Sequence, residues 1–187
     1  MAKQPIVLLI TCRKYQDLIR ECTKRIDDYA HFLIPVQILI TRDNVHEWTD
    51  SVRQTVEKLD NDMITVLLDD YYLTASCLSQ SYQFAVNCMG DPDVKKFDLS
   101  TDRTRFPHVD ITETVIMSTQ TARYRSSLQA AIWRKDYLMK LLVPGRTPWE
   151  FELEGEKECV EDGAVILGTR TGILEYDNVM LKGARVK

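Results

Sequence analysis

Met63-Ile64-Thr65-Val66-Leu67-Leu68-Asp69-Asp70 is the stretch of sequence that decides the fold. An unbroken apolar run of this length is typical of a strand that is covered on both faces of a parallel sheet. Similar aliphatic runs stand at residues 6–10 and 36–41. We therefore predict three strands of one sheet in the first half of the chain.

Amphipathic segments separate these predicted strands. After the first strand, apolar residues recur at steps of three and four, which marks one face of a helix: Tyr15, Leu18, Ile19, Cys22, Ile26, Tyr29 and Ala30. After the second strand, Asn44 and Glu47 resemble a capping box, and a further helical stripe follows at Trp48, Val52, Val56 and Leu59. Strands that alternate with helices through short connections predict an α/β fold with right-handed crossovers.

The second half of the chain shows a different pattern. A third helix is expected to end at Gly90, and residues 91–110 have no clear period and are expected to form a loop. A helix is predicted over residues 135–142, among strand-like segments at residues 114–118, 124–133, 149–153 and 164–167. The predicted fold is therefore a single α/β domain over residues 1–187, with a mostly parallel central sheet followed by a mixed sheet region.

The composition excludes several classes of protein. With 187 residues, 44% hydrophobic and 28% charged, the chain has the composition of an ordinary globular domain. A net charge of −4 argues against a protein that binds nucleic acid mainly through its phosphates. The first apolar run is too short for a membrane span and lacks a signal-peptide layout, so we expect a cytoplasmic protein. The five cysteines include no C-x-x-C pair, which argues against a zinc site or a disulfide framework.

Common catalytic and phosphate-binding motifs are missing from the sequence. It contains no G-x-G-x-x-G and no G-x-S-x-G. Residues 163–168 are the nearest approach to a phosphate loop, but Thr169-Arg170 follows them and they read as an ordinary strand. His46-Glu47 lacks the second histidine of a zinc protease motif, and the three histidines are expected at the surface or at helix caps.

Asp69 and Asp70 are the first candidate site. In an open α/β sheet, ligands bind outside the carboxyl ends of the strands, and here a strand delivers two adjacent carboxylates. Hard divalent cations are held in this way by one or two carboxylates together with the phosphates of a substrate. The pair predicts a metal-bridged diphosphate, and the alternative is that both residues cap the next helix or lie solvated at a strand end.

Pro148-Trp149-Glu150-Phe151-Glu152 is the second candidate site. If the segment is a strand, alternation places Glu150 and Glu152 on one face and both aromatic rings on the other. Carboxylates beside an aromatic wall suit a general base in a partly dry pocket. The alternative is a half-buried edge strand with a solvated acidic face.

Taken together and in order, several pieces of the sequence resemble nucleotide-sugar-dependent glycosyltransferases of the GT-A fold, in particular a bacterial and phage group akin to those that build surface polysaccharides. The pieces are Thr11-Cys12-Arg13-Lys14-Tyr15, Trp48, residues 67–73 (LLDDYYL), residues 124–133 (YRSSLQAAIW), residues 148–152, and a tail with residues 173–176, Asn178-Val179 and Lys182-Gly183. Together they span nearly the whole chain.

The resemblance implies a Rossmann-like GT-A fold with a nucleotide-binding half over residues 1–90 and an acceptor or catalytic half over residues 111–187. It implies transfer of a sugar from a nucleotide diphosphate sugar, with a UDP-sugar as the expected donor, to a hydroxyl acceptor in the presence of Mn²⁺ or Mg²⁺. The acceptor is a glycan or a modified DNA base. The runner-up is a degenerate module that binds nucleotide sugar without turnover.

The same resemblance implies roles for residues of the first half. Asp69 and Asp70 stand where the family has its D-x-D motif, with one carboxylate near the ribose and one on the metal. Thr11 and Tyr15 would line the nucleotide base and ribose, and Trp48 would close that pocket. The sequence here is Asp-Asp-Tyr rather than Asp-x-Asp, so the resemblance leaves open which carboxylate holds the metal.

In the second half, the resemblance places Ser127, Gln129 and Trp133 at the border of the sugar or the acceptor. It assigns the catalytic base to Glu152, ahead of Glu150. If the acceptor is a DNA base, a group of basic residues is expected to face its phosphates: Arg123, Arg125, Arg134, Lys135, Lys182, Arg185 and Lys187.

Overall fold

The computed structural model describes residues 4–181, 184 and 185. The strands are β1 (Ile6–Cys12), β2 (Val36–Thr41), β3 (Met63–Leu68), β4 (Tyr71–Leu73), β5 (Val94–Asp98), β6 (His108–Asp110), β7 (Val115–Ser118), β8 (Ala131–Arg134), β9 (Val165–Thr169), β10 (Tyr176–Asn178), β11 (Met180–Leu181) and β12 (Ala184–Arg185). The α-helices are α1 (Gln16–Ala30), α2 (Trp48–Glu57), α3 (Ser79–Cys88), α4 (Lys135–Leu141) and α5 (Pro148–Cys159). Lys182 and Gly183 of the tail lie outside the described residues.

One 8-stranded sheet, in the order β2-β1-β3-β8-β5-β9-β7-β6, forms the centre of the molecule. Strand β1 pairs in parallel with both β2 and β3. Strand β8 runs antiparallel between β3 and β5, and β5 pairs in parallel with β9. The α/β prediction is confirmed, with a parallel first part and a mixed second part.

The sheet is covered on both faces, as the apolar runs predict. In β1, Val7 and Leu9 belong to one core cluster together with residues of α1 and α3. Leu8 and Ile10 belong to the other cluster, with residues of α2, α4 and α5. Alternation along a strand sends successive side chains to opposite faces, so an unbroken aliphatic run fills both cores.

Strand β5 lies in the middle of the sheet, although residues 91–110 are predicted as a loop. Its sequence, Val94-Lys95-Lys96-Phe97-Asp98, carries three charges. A segment with so many charges lacks the apolar run that predicts a central strand. Lys96 and Asp98 are two residues apart and share a face, where Lys96 Nζ lies 2.8 Å from Asp98 Oδ1. The loop prediction is wrong at this strand because Lys96 and Asp98 are paired inside the fold, while Lys95 pairs with Asp136 at the surface.

Helix α5 occupies the segment predicted as a strand over residues 149–153. Thr147 is its N-cap and forms a capping box with Glu150, and Pro148 stands in the first turn. Such signals favour a helix start, and they outweigh the short polar-apolar alternation. Trp149 is 55% exposed whereas Phe151 is 0% exposed, so the two rings do not share a face as predicted.

The segment predicted as a strand over residues 124–133 is extended only at its end, where β8 begins at Ala131. The preceding residues form a connection in which Tyr124 has a φ of 54°. The strand prediction is therefore correct for residues 131–133 and wrong for residues 124–130. Within the described residues, no helix has the length and apolar composition that crossing a membrane requires.

Candidate functional site

The candidate site lies at the edge of the sheet where β1, β3 and β5 end. Because β8 is antiparallel and pairs Ala131 with both Val66 and Asp98, the connection that precedes β8 reaches the same edge. The amide of Leu99, just after β5, donates to the carbonyl of Ala130 across 2.8 Å. Such an edge is where α/β sheets bind ligands.

Asp69 and Asp70 follow β3 directly at this edge. Asp69 is buried, and its Oδ2 accepts a 2.5 Å hydrogen bond from Thr11 Oγ1 at the end of β1. Burial raises the pKa of Asp69 from 3.8 to about 6, opposed by the Thr11 hydrogen bond. Burial and the charge of Asp69 raise the pKa of Asp70 from 3.8 to about 6. The fold therefore holds two carboxylates together in a partly dry place.

A short antiparallel pair fixes the backbone after these carboxylates. Strand β4 pairs with β10, and the amide of Val179 donates to the carbonyl of Asp70 across 3.0 Å. The Tyr71 ring stacks on the Tyr176 ring with centroids 4.5 Å apart. The Tyr71 hydroxyl donates to the carbonyl of Leu128 across 3.0 Å. This chain of contacts joins the Asp69-Asp70 pair to the connection before β8.

Glu152 lies on the other side of the same connection. Its Oε1 accepts a 2.7 Å hydrogen bond from the amide of Leu128. The Ser126 hydroxyl donates to the Glu152 carbonyl across 2.8 Å. Helix α5 comes this close because Gly155 has no Cβ, and a Cβ there would lie 3.0 Å from Ser126 Cβ. Burial raises the pKa of Glu152, opposed by the Leu128 amide and the charge of Lys96.

Leu128 therefore connects the two predicted carboxylate groups, with its carbonyl bound to Tyr71 and its amide bound to Glu152. Gln129 is next along the chain, and its Oε1 accepts a 2.6 Å hydrogen bond from the Tyr176 hydroxyl. The Ser127 hydroxyl accepts a bond of 3.2 Å from the Gln129 amide. The structure thus links Tyr71, which follows Asp69 and Asp70, to residues 127–129 and to Glu152.

The segment after β1 contains Arg13, Lys14 and Tyr15. Tyr15 is half-buried and packs against the α1 side of the core, with Lys14 Nζ 5.2 Å from its ring centroid. Arg13 is exposed, and its guanidinium lies 3.8 Å from Asp43 Oδ2. Arg13 and Lys14 follow β1 directly, and both are exposed.

Three residues that the resemblance places at the site have other positions. Trp48 is 7% exposed and packs edge-on against Phe151, with ring centroids 5.8 Å apart. Trp133 is 0% exposed and belongs to the same core. Glu150 is exposed, and its carboxylate accepts from the Thr147 amide as part of the helix cap. Large aromatic rings contribute more to stability when they are buried in a core than when they lie at a solvated edge of the sheet. Glu150 is held at the surface because it caps the start of α5.

The described side chains of the predicted basic group, those of Arg123, Arg125, Arg134 and Lys135, do not form a phosphate-facing patch. Arg125 is fully buried and donates to backbone carbonyls, including that of Ala164 across 2.7 Å. Arg134 donates to the carbonyls of Met89, Val94 and Asp91, and Lys135 donates to those of Glu57 and Leu59. Lys182 and Lys187 lie outside the described residues, as does the side chain of Arg185. Of the predicted group, Arg123 alone is exposed among the residues whose side chains are described.

Two grooves in the described part of the chain lie away from these carboxylates. One of about 500 Å³ borders Ile6, Pro35 and Tyr82 near the start of β1 and has no charged side chain in its lining. Another of about 340 Å³ borders Lys95, Asp136 and Asp162. Neither groove is lined by Asp69, Asp70 or Glu152. The candidate site is therefore defined by its carboxylates and not by a groove.

Comparison with solved structures places the fold. The chain is similar to CMP:2-keto-3-deoxy-manno-octonic acid synthetase complexed with CTP, at 12% identity over 91% of this chain and 93% of that chain, with a TM-score of 0.53. It is also similar to TarS of S. aureus, at 11% identity over 92% of this chain and 36% of that chain, with a TM-score of 0.56. No protein-family model and no curated protein sequence matches the chain. The chain therefore shares the Rossmann-like α/β fold of these two proteins.

The Asp69-Asp70 pair fits a hard divalent cation. Carboxylate oxygens are the ligands that Mg²⁺ and Mn²⁺ prefer, and a cation would favour the ionised forms that burial disfavours in both groups. Within the described residues, no group of three or more His, Cys, Asp or Glu side chains is placed to hold a metal ion. A cation here would need further ligands from a bound phosphate.

The raised pKa values predict how stability depends on pH. Because folding raises the pKa of Asp69 and Asp70 from 3.8 to about 6, the folded chain binds more protons than the unfolded chain between these values. Their contribution to stability is complete below about pH 4 and is lost as the pH rises through 6. Metal-free protein should gain about 1–3 kcal/mol from these groups between pH 7 and pH 5.

Urea unfolding of the metal-free chain and of Asp70→Asn at pH 7 and pH 5 measures this contribution. The variant should gain less than the parent on acidification, because it lacks one of the two protonating groups. An identical gain in both proteins would show that folding does not raise the pKa of Asp70.

Proposed function

We propose that this chain is a glycosyltransferase that moves a sugar from a nucleotide diphosphate sugar to a hydroxyl acceptor. The observation that carries the proposal is the connection through Leu128, which links the Asp69-Asp70 pair to the separate carboxylate of Glu152. The Asp69-Asp70 pair is suited to bind a metal ion together with a diphosphate. Glu152 is suited to accept a proton. Glycosyl transfer with inversion needs both.

In the proposed reaction, Glu152 takes the proton of the acceptor hydroxyl. The acceptor oxygen forms a bond to the anomeric carbon, and the bond from that carbon to the phosphate oxygen breaks. The nucleotide diphosphate leaves with the bonding electrons. Asp69 and Asp70 would hold Mn²⁺ or Mg²⁺, which would neutralise charge on the diphosphate when bound. Arg13 and Lys14, which follow β1, would add positive charge at the same edge.

The half-buried position of Glu152 supports its role as the base. Burial raises the pKa of this carboxyl above its ordinary value, and a base works best when its pKa lies near the working pH. Glu150 is exposed, and its hydrogen bonds to the amide and hydroxyl of Thr147 lower its pKa. The two glutamates therefore differ in environment, and we assign the base to Glu152.

The fold supports a protein that handles activated sugars. The synthetase to which the chain is similar was solved with CTP bound, and TarS is a glycosyltransferase. A second candidate function is transfer of a nucleotidyl group from a nucleoside triphosphate to a sugar. It is favoured by length, because the chain covers 93% of that synthetase but 36% of TarS.

Product analysis distinguishes the candidates. The purified chain is incubated with UDP-, GDP- or CDP-sugars, with Mn²⁺ or Mg²⁺ or with a chelator, and nucleotide diphosphate is measured. Parallel reactions contain CTP or UTP with free sugars, and pyrophosphate is measured. Metal-dependent release of a diphosphate is expected. Pyrophosphate release would favour nucleotidyl transfer, and metal-dependent binding without either product would favour a binding module.

A further inference from the structure

A buried lysine lies in the centre of the sheet, behind the candidate site. Lys96 is 0% exposed on β5, where burial lowers its pKa and Asp98 opposes that effect. Its Nζ lies 2.8 Å from Asp98 Oδ1 and 4.5 Å from the ring centroid of Trp133. A buried charge is costly unless it is paired and hydrogen-bonded. Lys96 therefore meets this requirement through its contact with Asp98.

Two buried cations share one carboxylate here. Arg103 Nε donates to Asp98 Oδ2 across 2.7 Å, on the side away from Lys96. The two cations lower the pKa of Asp98 against the effect of burial, so this carboxylate is ionised. The group of Lys96, Arg103 and Asp98 thus carries one excess positive charge in the core. An anion close to this group is stabilised by that excess.

Glu152 is the anion that this charge meets. The two side chains interact electrostatically, and each favours the charged form of the other. The other groups that face Glu152 are the Tyr71 hydroxyl of β4, the Ser127 hydroxyl and the Leu128 amide. Among them, Lys96 alone brings a positive charge.

Lys96 also holds the backbone that contacts Glu152. Its Nζ donates to the carbonyl of Ser127 across 2.7 Å and to that of Arg125 across 3.5 Å. Arg103 donates to the carbonyl of Tyr124 across 2.6 Å. The peptide unit that Lys96 holds at the Ser127 carbonyl also contains the Leu128 amide, which donates to Glu152. One side chain therefore acts on Glu152 through charge and through position.

We propose that Lys96 is a positioning residue that presents the Leu128 amide to Glu152 and supplies the buried positive charge that keeps Glu152 ionised. This inference rests on the proposed function of Glu152 as the base. Lys96 itself touches no substrate, since it is fully buried behind the connection before β8. Its effect reaches the reaction through the proton affinity of Glu152.

The variant Lys96→Met tests the proposal, with Lys95→Met as the control. Lys95 is the preceding residue and pairs at the surface with Asp136 across 3.2 Å. In Lys96→Met, the acidic limb of the pH profile for kcat should move up by about one pH unit or more, with donor affinity unchanged. In Lys95→Met the limb should stay in place. A limb that stays in place in a folded Lys96→Met would overturn the proposal.

A titration of Glu152 itself keeps the test independent of turnover. Carboxyl carbons of ¹³C-labelled glutamate are followed by NMR, and the Glu152 signal is assigned by its loss in Glu152→Gln. Its titration should move to higher pH in Lys96→Met. If it moves while the parent shows no glycosyl transfer, the proposed function fails and the coupling of Lys96 to Glu152 stands.

The double variant Lys96→Met with Asp98→Asn distinguishes the electrostatic effect of Lys96 on Glu152 from a general loss of stability. It removes one positive and one negative charge, so the group of Lys96, Arg103 and Asp98 keeps the net charge of the parent, and Arg103 keeps its bonds to the carbonyls of Arg123 and Tyr124. The Glu152 titration should lie between those of the parent and of Lys96→Met, because the lost anion offsets part of the lost cation. A shift as large as in the single variant would overturn the electrostatic role.

Discussion

Replacing Asp70 by Asn should strongly weaken the metal-dependent binding of nucleotide diphosphates. The substitution keeps the size of the side chain and removes one of two adjacent carboxylates that are already hard to ionise, since the pKa of each is raised to about 6. A cation bridged to a diphosphate would then keep a single carboxylate ligand from the chain. We expect affinity in the presence of Mn²⁺ to fall at least about 10-fold to 100-fold, as measured by calorimetry.

The variant Asp28→Asn is the matched control, because it makes the same change of charge on the exposed surface of α1. It should bind like the parent. Asp70→Asn should remain folded, since it relieves the repulsion between Asp69 and Asp70. Parent-like affinity of Asp70→Asn, or affinity that is the same with metal and with a chelator, would remove the pair from the role of metal ligand.

Replacing Glu152 by Gln should lower turnover about 10²-fold to 10⁴-fold, the usual cost of losing a positioned general base. Donor affinity should stay the same, because the proposed contact of Glu152 is with the acceptor hydroxyl. Gln keeps a side-chain oxygen that can accept from the Leu128 amide, so the connection before β8 should stay in place. Steady-state kinetics with the donor identified by product analysis, together with calorimetry, measure both quantities.

Glu150→Gln is the control on the same helix. Gln serves at this position of a capping box as Glu does, so the start of α5 and the turnover should stay close to those of the parent. Turnover that falls in Glu150→Gln and not in Glu152→Gln would reverse the assignment. Parent-like turnover in both would place the base elsewhere or indicate a retaining reaction.

Residues 147–152 show where sequence patterns compete. Thr147, Pro148 and Glu150 form a complete helix-start signal, yet the alternation of Trp149 to Glu152 predicts a strand. The capping signal is local and involves backbone amides that need partners, whereas a short alternation occurs by chance. In our proposal, Glu152 faces the site and Glu150 faces away from it. This difference requires a helix, because in a strand the two side chains would point to the same face.

The sequence alone determined the parallel part of the sheet, since the aliphatic runs in β1 and β3 have to be covered on both faces. It also placed Asp69 and Asp70 at a strand end, because they follow such a run directly. The fold type is confirmed, and the roles of these residues stay predictions. These features are readable because each depends on residues that are adjacent along the chain.

Tertiary structure decided the rest. Strand β5 is central although it is charged, because Asp98 pairs with both Lys96 and Arg103 inside the fold. That pairing depends on which strands become neighbours. Trp48 fills the core because Phe151 of a distant helix packs against it. Leu128 joins Tyr71 to Glu152 because antiparallel β8 returns the chain to the carboxyl edge of β3. Contacts between residues far apart in sequence form only after the sheet order is set, and no local pattern encodes them.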